Sequence, residues 1–317
     1  MDIKSKKVLV TGGAGFIGSH LVGALTAKGC SVAVIDNLSS GSLSNLDSAR
    51  ENILFYNGDI RDRDLLMEAS DGCDIIFHQA AVVSVPQTVE NPVESAMVNE
   101  IGTLFVLEAA RRNSVKRVVL ASSCAVYGDD PHLPKQEKMN SRPVSPYAVQ
   151  KLSGEYYARL YSDLYGIDTI CLRYFNVYGP RQDPSSDYSG VISIFMTKAA
   201  NNKRPVIYGD GSQFRDFIFV QDVVRANILA ASAHEVRGKT FNIGSGMSIT
   251  INRLWEMVSR IAGIDRKPEY RPSRQGDIFG SVADIDQAKS FLGFKPECLF
   301  EKGIEITFQW YKRFQGQ

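Results

Sequence analysis

Short apolar runs alternate with helical patterns through the first half of the chain, and this alternation restricts the possible folds more than any other feature. Such runs fit strands that are buried on both faces, and a helix between two of them fits a crossover between parallel strands. The pattern therefore predicts a doubly wound parallel α/β sheet. Its strands are predicted at 8–10, 32–35, 53–56, 75–77, 118–121 and 169–172, and its main helices at 15–28, 93–112 and 146–165.

The pattern changes after about residue 179, where a polar segment rich in Pro and Gly follows. Beyond it, short strands at 206–208, 217–219 and 240–243 mix with helices near 221–233 and 252–262. We expect a Rossmann-type domain over 1–180 and a smaller, mixed α/β C-terminal lobe over 181–317, with some of the chain crossing back. The crevice between the two is the expected ligand site.

Charge and composition exclude several classes of function. Lys plus Arg number 36 and Asp plus Glu 35, so the net charge of +1 gives no general attraction to nucleic acid or to an anionic membrane. The basic start has too short an apolar run for a signal peptide, and no stretch is apolar enough to span a bilayer. Five scattered cysteines without a CxxC pair indicate neither disulfides nor a metal site. We expect a cytoplasmic protein.

A glycine motif marks a dinucleotide site between the first strand and the first helix. In VLVTGGAGFIGSH, Gly12, Gly15 and Gly18 permit a tight turn and leave helix amides free for a pyrophosphate. Asp36 ends the second strand, where its carboxylate can accept from a ribose hydroxyl and would repel a 2′-phosphate. No arginine follows in DNLSSG, so the motif favours NAD over NADP. A purely structural glycine turn is the alternative.

A second motif, SPYAVQK, places Tyr147 and Lys151 on one face of a helix. A tyrosine acting as a base near neutral pH needs a pKa well below its usual value of about 10. A lysine ammonium about 4 Å away supplies an interaction of the required size. Ser122 and Ser123 end the fifth predicted strand, where doubly wound sheets carry reactive groups. A solvated helix face and strand-end capping are the structural alternatives.

With TGGAGFIG, NGDIRD and HQAA, these motifs resemble the extended short-chain dehydrogenase/reductase superfamily. The resemblance implies a catalytic trio of Ser123, Tyr147 and Lys151, with Asp59 and Ile60 beside the adenine; capping of the next helix is the alternative for Asp59. It assigns these residues to the NAD site: Gly12, Gly15, Phe16, Ile17, Gly18, Asp36, Asn37, Gly41, Asp59, Ile60, Gln79, Ala80, Ala81, Asn99, Tyr147, Lys151 and Tyr174.

The residues after Ser123 narrow the reaction. Similar dehydratases and decarboxylases carry acidic residues there, because their chemistry needs a second acid or base. This chain has Cys124 and Ala125 instead, which leaves oxidation at one carbinol and its reversal, that is, epimerisation. Cys124 could act as an acid or base, or simply pack in the interior.

The segment LRYFNVYGPRQDP resembles the part of UDP-hexose 4-epimerases that follows the sixth strand, and implies that Asn176 binds the substrate diphosphate. Arg215 and Arg274 suit phosphate oxygens, and Asp277 a ribose hydroxyl; either arginine alone also fits a surface ion pair. The predicted ligands of the nucleotide sugar are Ser84, Ser122, Ser123, Asn176, Val191, Tyr208, Arg215, Arg274, Asp277 and Ser281.

The resemblance is nearest to the 4-epimerases of N-acetylated hexosamines, through SPYAVQK, RYFNVYGPRQDP and GSVADIDQAKSFLGF. It places Ser281 at the lining of the sugar pocket. A tyrosine there would crowd a 2-acetamido group, whereas serine leaves space; an ordinary loop serine is the alternative. We expect interconversion of UDP-GlcNAc and UDP-GalNAc, with UDP-Glc and UDP-Gal as further substrates. A dehydratase, a decarboxylase, a uronate or pentose 4-epimerase, a thymidine nucleotide and a non-catalytic NAD-binding protein stay open. The helices at 93–112 and 146–165 suggest a homodimer through a helix bundle, as in relatives.

Overall fold

A computed structural model describes residues 3–183, 190–273 and 278–314. Its central feature is a parallel sheet of seven strands in the order β11-β6-β5-β4-β1-β2-β3. The strands are β1 Lys7–Thr11, β2 Ser31–Asp36, β3 Ile53–Asn57, β4 Ile75–His78, β5 Arg117–Ser123, β6 Asp168–Tyr174 and β11 Lys239–Ile243. This arrangement confirms the predicted doubly wound fold.

Side chains of the central sheet alternate between two apolar layers, as a sheet covered on both faces requires. Val8 and Val10 belong to a core shared with helices α1 (Phe16–Ala27) and α8 (Val220–Ser232). Leu9, between those two valines, belongs to the opposite core, formed with α2 (Arg63–Ser70) and α5 (Thr103–Arg112). Helix α6 (Pro146–Tyr165) also packs on β5 and β6.

The predicted helix at 93–112 is present but not uniform. It comprises α4 (Pro92–Ala96), a π-helical turn over Met97–Gly102, and α5. Helix α3 (Val85–Glu90) lies just before it. A π-turn widens a helix locally and re-aims the side chains in it, which matters below for Asn99.

The second lobe has its own small sheets and its own apolar core. Its strands pair as β7 (Asn176–Tyr178) with β10 (Phe217–Phe219), β8 (Val206–Tyr208) with β13 (Glu269–Arg271), and β9 (Phe214–Arg215) with both β12 (Ile249–Thr250) and β14 (Gly280–Ser281). Its core lies among the helices α7 (Val191–Ala200), α9 (Ile251–Ala262) and α11 (Phe300–Phe314).

The chain returns to the first lobe after residue 180. Strand β11 pairs with β6 in the main sheet, and α8 and α10 (Asp286–Leu292) pack against the main core. The sequence analysis predicts a strand at 240–243 but assigns it to the second lobe. In the structure this strand is part of the main sheet, so the chain crosses back to the first lobe here. The sequence pattern does not show at which segment the chain crosses back. The division at residue 180 stays a prediction.

The strand order reverses between β1 and β4, which pair directly. Ligands of doubly wound sheets bind in the crevice outside the carboxyl ends of the strands at this switch point. The glycine motif after β1, HQAA after β4 and the serines at the end of β5 all lie at these ends. No helix in the described part of the chain is long and apolar enough to cross a membrane.

Candidate active site

The glycine turn after β1 is shaped by close backbone contacts. Gly12 has φ +68°, and a Cβ there would lie 2.7 Å from the backbone nitrogen of Ala80. A Cβ on Gly18 would lie 2.1 Å from the Gly12 carbonyl oxygen. Only glycine permits this approach of β1, β4 and α1. Among the described residues no side chain caps α1, whose N-cap is Gly15, so the amides of its first turn face the crevice without a side-chain acceptor.

Asp36 holds the glycine turn in place. Its two carboxylate oxygens accept from the backbone N–H groups of Ala14 (2.9 Å) and Leu38 (2.8 Å). Gly41 packs against the backbone of Ala14, whose carbonyl also accepts from the Asn45 side chain at 2.9 Å. Asp36 therefore positions the turn, and its remaining lone pairs are what a ribose hydroxyl would meet. Nothing in the glycine motif of the sequence predicts this contact of Asn45.

Asp59 is part of a small polar cluster at the predicted adenine side. Arg61 binds its two oxygens in a bidentate ion pair, with both N–O distances 2.9 Å, and Asn37 donates to it at 2.8 Å. The hydrogen bond from Arg61 is the main reason that the pKa of Asp59 lies below its usual range. The neighbouring Ile60 is buried in the apolar core. Their contact with adenine stays a prediction.

Tyr174 and Gln79, both predicted near the nicotinamide, form one buried network with Asn227. The Tyr174 hydroxyl donates to Asn227 Oδ1 (3.0 Å), and Gln79 Nε2 donates to the Tyr174 oxygen (3.2 Å). Burial raises the pKa of Tyr174 to about 12, so it is a neutral phenol. The sequence analysis does not predict a role for Asn227. The feature that could have indicated one is a polar residue among the apolar residues of α8.

Asn99 lies in the π-turn, and its contacts differ from the predicted ligand role. Its side-chain oxygen accepts from the N–H of Val82 (2.8 Å), and its amide donates to the Val82 carbonyl (2.9 Å) and to Gln150 Oε1 (2.7 Å). Both amide hydrogens are thus used within the protein. Asn99 fixes the segment that follows Ala80 and Ala81, and its contact with the cofactor stays a prediction.

The predicted catalytic trio meets at the end of β5. Ser123 ends the strand, and Tyr147 and Lys151 lie one turn apart in α6. The Ser123 hydroxyl lies close enough to the Tyr147 hydroxyl to lower the pKa of that phenol. Lys151 Nζ donates to the carbonyl of Ala121 (3.0 Å) and lies 5.8 Å from the centre of the Tyr147 ring. The structure therefore brings together all three side chains that the motifs singled out separately.

The acidity of Tyr147 differs from the expectation. Burial raises its pKa to about 12, more than the hydrogen bond with Ser123 lowers it. Burial also lowers the pKa of Lys151 to about 8. The lower tyrosine pKa that the base needs stays a prediction: here desolvation of a phenolate outweighs the Lys151 ammonium, which is directed at a backbone carbonyl.

Ser122 points away from the trio, as alternation along a strand requires. It is buried, and its hydroxyl donates to Glu155, which also accepts both hydrogen bonds of a bidentate pair from Arg173 (2.7 and 2.9 Å). Its predicted role as a substrate ligand is therefore wrong: this hydroxyl belongs to a buried ion-pair cluster beneath the site. Glu155 follows Lys151 by four residues, so it lies on the same face of α6. This spacing could have predicted that Glu155 lies near the end of β5.

Cys124 and Ser281 form the wall beside Ser123. The Ser281 side chain lies close to the Cys124 thiol, and burial raises the pKa of that thiol to about 11. In the register of β14 against β9, Ser281 is opposite Arg215, and Arg215 is close enough to act electrostatically on Cys124. Two predicted substrate residues from distant parts of the sequence thus lie beside the trio.

The other predicted substrate residues belong to several elements, and their contact with substrate stays a prediction. Asn176 begins β7 with an exposed side chain, Val191 begins α7, and Tyr208 ends β8. Ser84 caps α3 by accepting from the N–H of Gln87 at 3.2 Å, a structural task. Arg274 and Asp277 lie outside the described residues.

These features fit a dinucleotide. The crevice offers a glycine cradle that any Cβ would obstruct, an uncapped helix start and a carboxylate at the end of β2. This combination suits a diphosphate and a ribose. Within the described ranges, no cluster of three His, Cys, Asp or Glu residues could hold a metal ion.

Comparisons with known proteins agree with this site. The model of the NAD dependent epimerase/dehydratase family matches residues 8–244. A putative UDP-glucose 4-epimerase of Methanocaldococcus jannaschii is 41% identical over 96% of this chain and 98% of its own length.

Two solved structures have the same fold over nearly their whole length. The UDP-glucose 4-epimerase of Thermotoga maritima with UDP-glucose gives a TM-score of 0.93 at 39% identity, over 98% of this chain and 99% of the other. The UDP-N-acetylglucosamine 4-epimerase of Methanobrevibacter ruminantium M1, in complex with UDP-N-acetylmuramic acid, gives 0.94 at 42%, over the same shares, 98% and 99%.

The protein is therefore an NAD-dependent enzyme with a Rossmann-type domain. It belongs to the NAD dependent epimerase/dehydratase family, within which its similarity is to the nucleotide-sugar 4-epimerases. The predicted superfamily and the predicted cofactor, NAD, are both confirmed.

Proposed function

We propose that this enzyme interconverts UDP-GlcNAc and UDP-GalNAc by inverting C4, and that it also accepts UDP-Glc and UDP-Gal. The observation that carries the proposal is the position of Ser281 beside Cys124, next to Ser123. Serine at this wall leaves room for a 2-acetamido group, whereas a ring would fill it. The relative from Methanobrevibacter ruminantium, a UDP-N-acetylglucosamine 4-epimerase by name, supports the same choice.

The trio supplies the proton chemistry of the reaction. Ser123 holds the 4-hydroxyl of the sugar, and the Tyr147 oxygen removes its proton as C4 is oxidised to a ketone. The keto sugar then rotates so that its opposite face meets the nicotinamide. When C4 is reduced again, Tyr147 returns the same proton to the 4-oxygen, so the acid and base steps balance. NAD, when bound, supplies the acceptor for the C4 hydride and a positive ring charge. Lys151 adds its own positive charge from the same face of α6.

The residues that follow Ser123 favour a 4-epimerase over a dehydratase or a decarboxylase, because they provide no further acid or base. At the wall that follows Ser123, the described side chains are the Cys124 thiol and the Ala125 methyl. With a pKa of about 11, the thiol stays protonated near neutral pH. Neither group performs the proton transfer that elimination of water requires. A 4-epimerase of uronic acids or pentoses needs no such group and is the nearest competitor.

The test is incubation of the purified protein with UDP-GlcNAc, followed by chromatographic separation of the nucleotide sugars. We expect UDP-GalNAc to form up to a constant ratio, without accumulation of NADH. Parallel reactions contain UDP-Glc, UDP-glucuronic acid, UDP-xylose and dTDP-Glc. A keto sugar or carbon dioxide as product would overturn the proposal, as would turnover of the uronate or pentose alone.

We also propose a homodimer through α6 and the helical run of α4 and α5. Large apolar side chains stand exposed on this face: Val93 is 72%, Leu160 is 49% and Leu164 is 68% exposed. A monomer rarely leaves so many large apolar groups on adjoining helices in water. A second copy would cover this face with the same apolar residues, as a two-fold axis requires.

A further inference from the structure

Arg181 occupies an unfavourable backbone conformation at the edge of the crevice. It belongs to the turn after β7, and its φ is +67°, in the left-handed region that disfavours residues with a Cβ. Such outliers persist where the surrounding contacts fix them, and they are frequent at ligand sites. The contacts of this turn show what holds it.

His20 ties the turn to the helix of the glycine motif. One ring nitrogen, Nε2, lies 2.9 Å from the carbonyl oxygen of Pro180, and the other, Nδ1, lies 3.1 Å from Gln221 Nε2. The carbonyl can only accept, so Nε2 carries the hydrogen and Nδ1 accepts from the amide. His20 is in the second turn of α1. The residue before Arg181 is therefore held next to the start of the helix that faces the dinucleotide.

The Arg181 guanidinium is partly buried without an anionic partner among the described residues. No hydrogen bond or ion pair joins it to them, and desolvation lowers its pKa. The two fully buried arginines among the described residues are each paired with a carboxylate: Arg117 with Asp168 and Arg173 with Glu155. A cation withdrawn from water in this way is stabilised by an anion.

We infer that Arg181 binds the diphosphate of NAD, together with the amides at the start of α1. A diphosphate has two sources in this crevice, the cofactor and the nucleotide sugar. The cofactor is favoured because His20 and Pro180 fix Arg181 to α1 and not to β9 or β14, where Arg215 and Ser281 lie. Retention of the cofactor then depends on Arg181, a residue of the turn that joins the two lobes. The inference concerns NAD binding and not the identity of the sugar.

The experiment measures NAD bound per chain in the purified protein, and then calorimetric affinities of the cofactor-free protein for NAD, ADP, adenosine and UDP. In Arg181→Gln we expect NAD and ADP to bind on the order of 10- to 100-fold more weakly, because a charge-assisted contact to phosphate is lost. Adenosine, which has no phosphate, and UDP keep their affinities. Arg253→Gln, an exposed arginine of α9, is the matched control and leaves all four unchanged.

Arg181→Gly keeps the test valid if the glutamine variant folds poorly. Glycine adopts φ +67° without strain, so this variant folds at least as well as the parent while it lacks the cation. We expect the same loss of NAD and ADP affinity from it. Unchanged NAD affinity in a folded variant overturns the inference, and so does a loss confined to UDP or a loss that adenosine shares.

Discussion

The thiol of Cys124 and the hydroxyl of Ser281 lie close enough to interact, although the two residues belong to different lobes. Cys124 follows the catalytic strand β5, and Ser281 ends β14. Asp216 holds the segment after Ser281, since its carboxylate accepts from the N–H of Ala283 at 3.0 Å. The wall beside the trio therefore consists of two small polar groups whose positions are fixed by buried contacts.

Ser281→Tyr should remove activity on the acetylated sugars and spare the others. A phenol ring at this wall fills the space that a 2-acetamido group needs, whereas a 2-hydroxyl is much smaller. We expect kcat/KM for UDP-GlcNAc to fall by about 100-fold or more, and that for UDP-Glc to change little. Ser281→Ala, which removes the hydroxyl without adding bulk, is the control. Equal losses for both sugars in the tyrosine variant would refute the argument from space.

Cys124→Ser should leave the reaction almost intact. Serine is polar and slightly smaller than cysteine, so the wall beside Ser281 keeps its form. Cys124→Val places a bulkier, apolar side chain against the Ser281 hydroxyl, so a larger loss of kcat/KM is expected from it. Steady-state kinetics of both variants, from pH 6 to 9, make the comparison. If serine abolished turnover at every pH, the thiol would be an acid or base and not part of the wall.

Tyr147→Phe should lower kcat by about 100- to 10,000-fold, the range for loss of a general acid or base. NAD content and UDP affinity should stay as in the parent, because the phenol ring and its packing are retained. Ser84→Ala, which removes only a helix cap, is the matched control for loss of one hydroxyl. A phenylalanine variant with normal kcat would exclude Tyr147 from the proton transfer, and would favour a protein that binds NAD without catalysis.

The fold and the trio were predictable because their signals are local. Alternation of apolar residues reveals a strand, and a spacing of four in SPYAVQK brings Tyr147 and Lys151 to one helix face. Roles that depend on contacts between distant segments were not predictable. Asn99 satisfies the backbone of Val82, and its orientation depends on a π-turn that has no clear sequence signal.

The pKa values of the site residues were harder to predict from the sequence than the fold or the trio. The spacing of Tyr147 and Lys151 predicts attraction between a phenolate and an ammonium, but burial is a property of the whole fold. Desolvation raises the pKa of Tyr147 and lowers that of Lys151, and both changes oppose charge in the site. Ser122 shows the same limit, because the partner that takes its hydroxyl, Glu155, comes from another element.

Leu160→Glu should disrupt association of the chain. In the proposed homodimer Leu160 lies in the interface, and a buried, unpaired carboxylate is strongly unfavourable. We expect the dimer dissociation constant to rise by at least about 100-fold, measured by light scattering or sedimentation. Leu54→Glu is the control, because Leu54 is equally exposed but lies on the edge strand β3. A parent protein that is monomeric at all concentrations would contradict the proposal directly.

The last prediction concerns the pH dependence of stability, and it rests on His78 at the end of β4. The ring is buried, with Nδ1 2.8 Å from the Thr11 hydroxyl and Nε2 2.9 Å from the Thr103 hydroxyl. Burial, and secondarily the charge of Lys151, lowers its pKa from 6.5 to about 3. Since the unfolded chain binds a proton below pH 6.5 and the folded chain does not, the folded state loses stability as pH falls from 6.5 towards 3.

His78→Gln removes this titration, so its free energy of unfolding should depend less on pH. Between pH 7 and pH 5 the parent should lose about 2 kcal/mol more than the variant, measured by urea unfolding. His20→Gln should give a similar difference, because burial lowers the His20 pKa to about 4. Carboxylates contribute equally to both proteins and cancel in the difference. Parallel pH profiles of parent and variant would mean that His78 is protonated in the folded protein, which its burial and the nearby charge of Lys151 oppose.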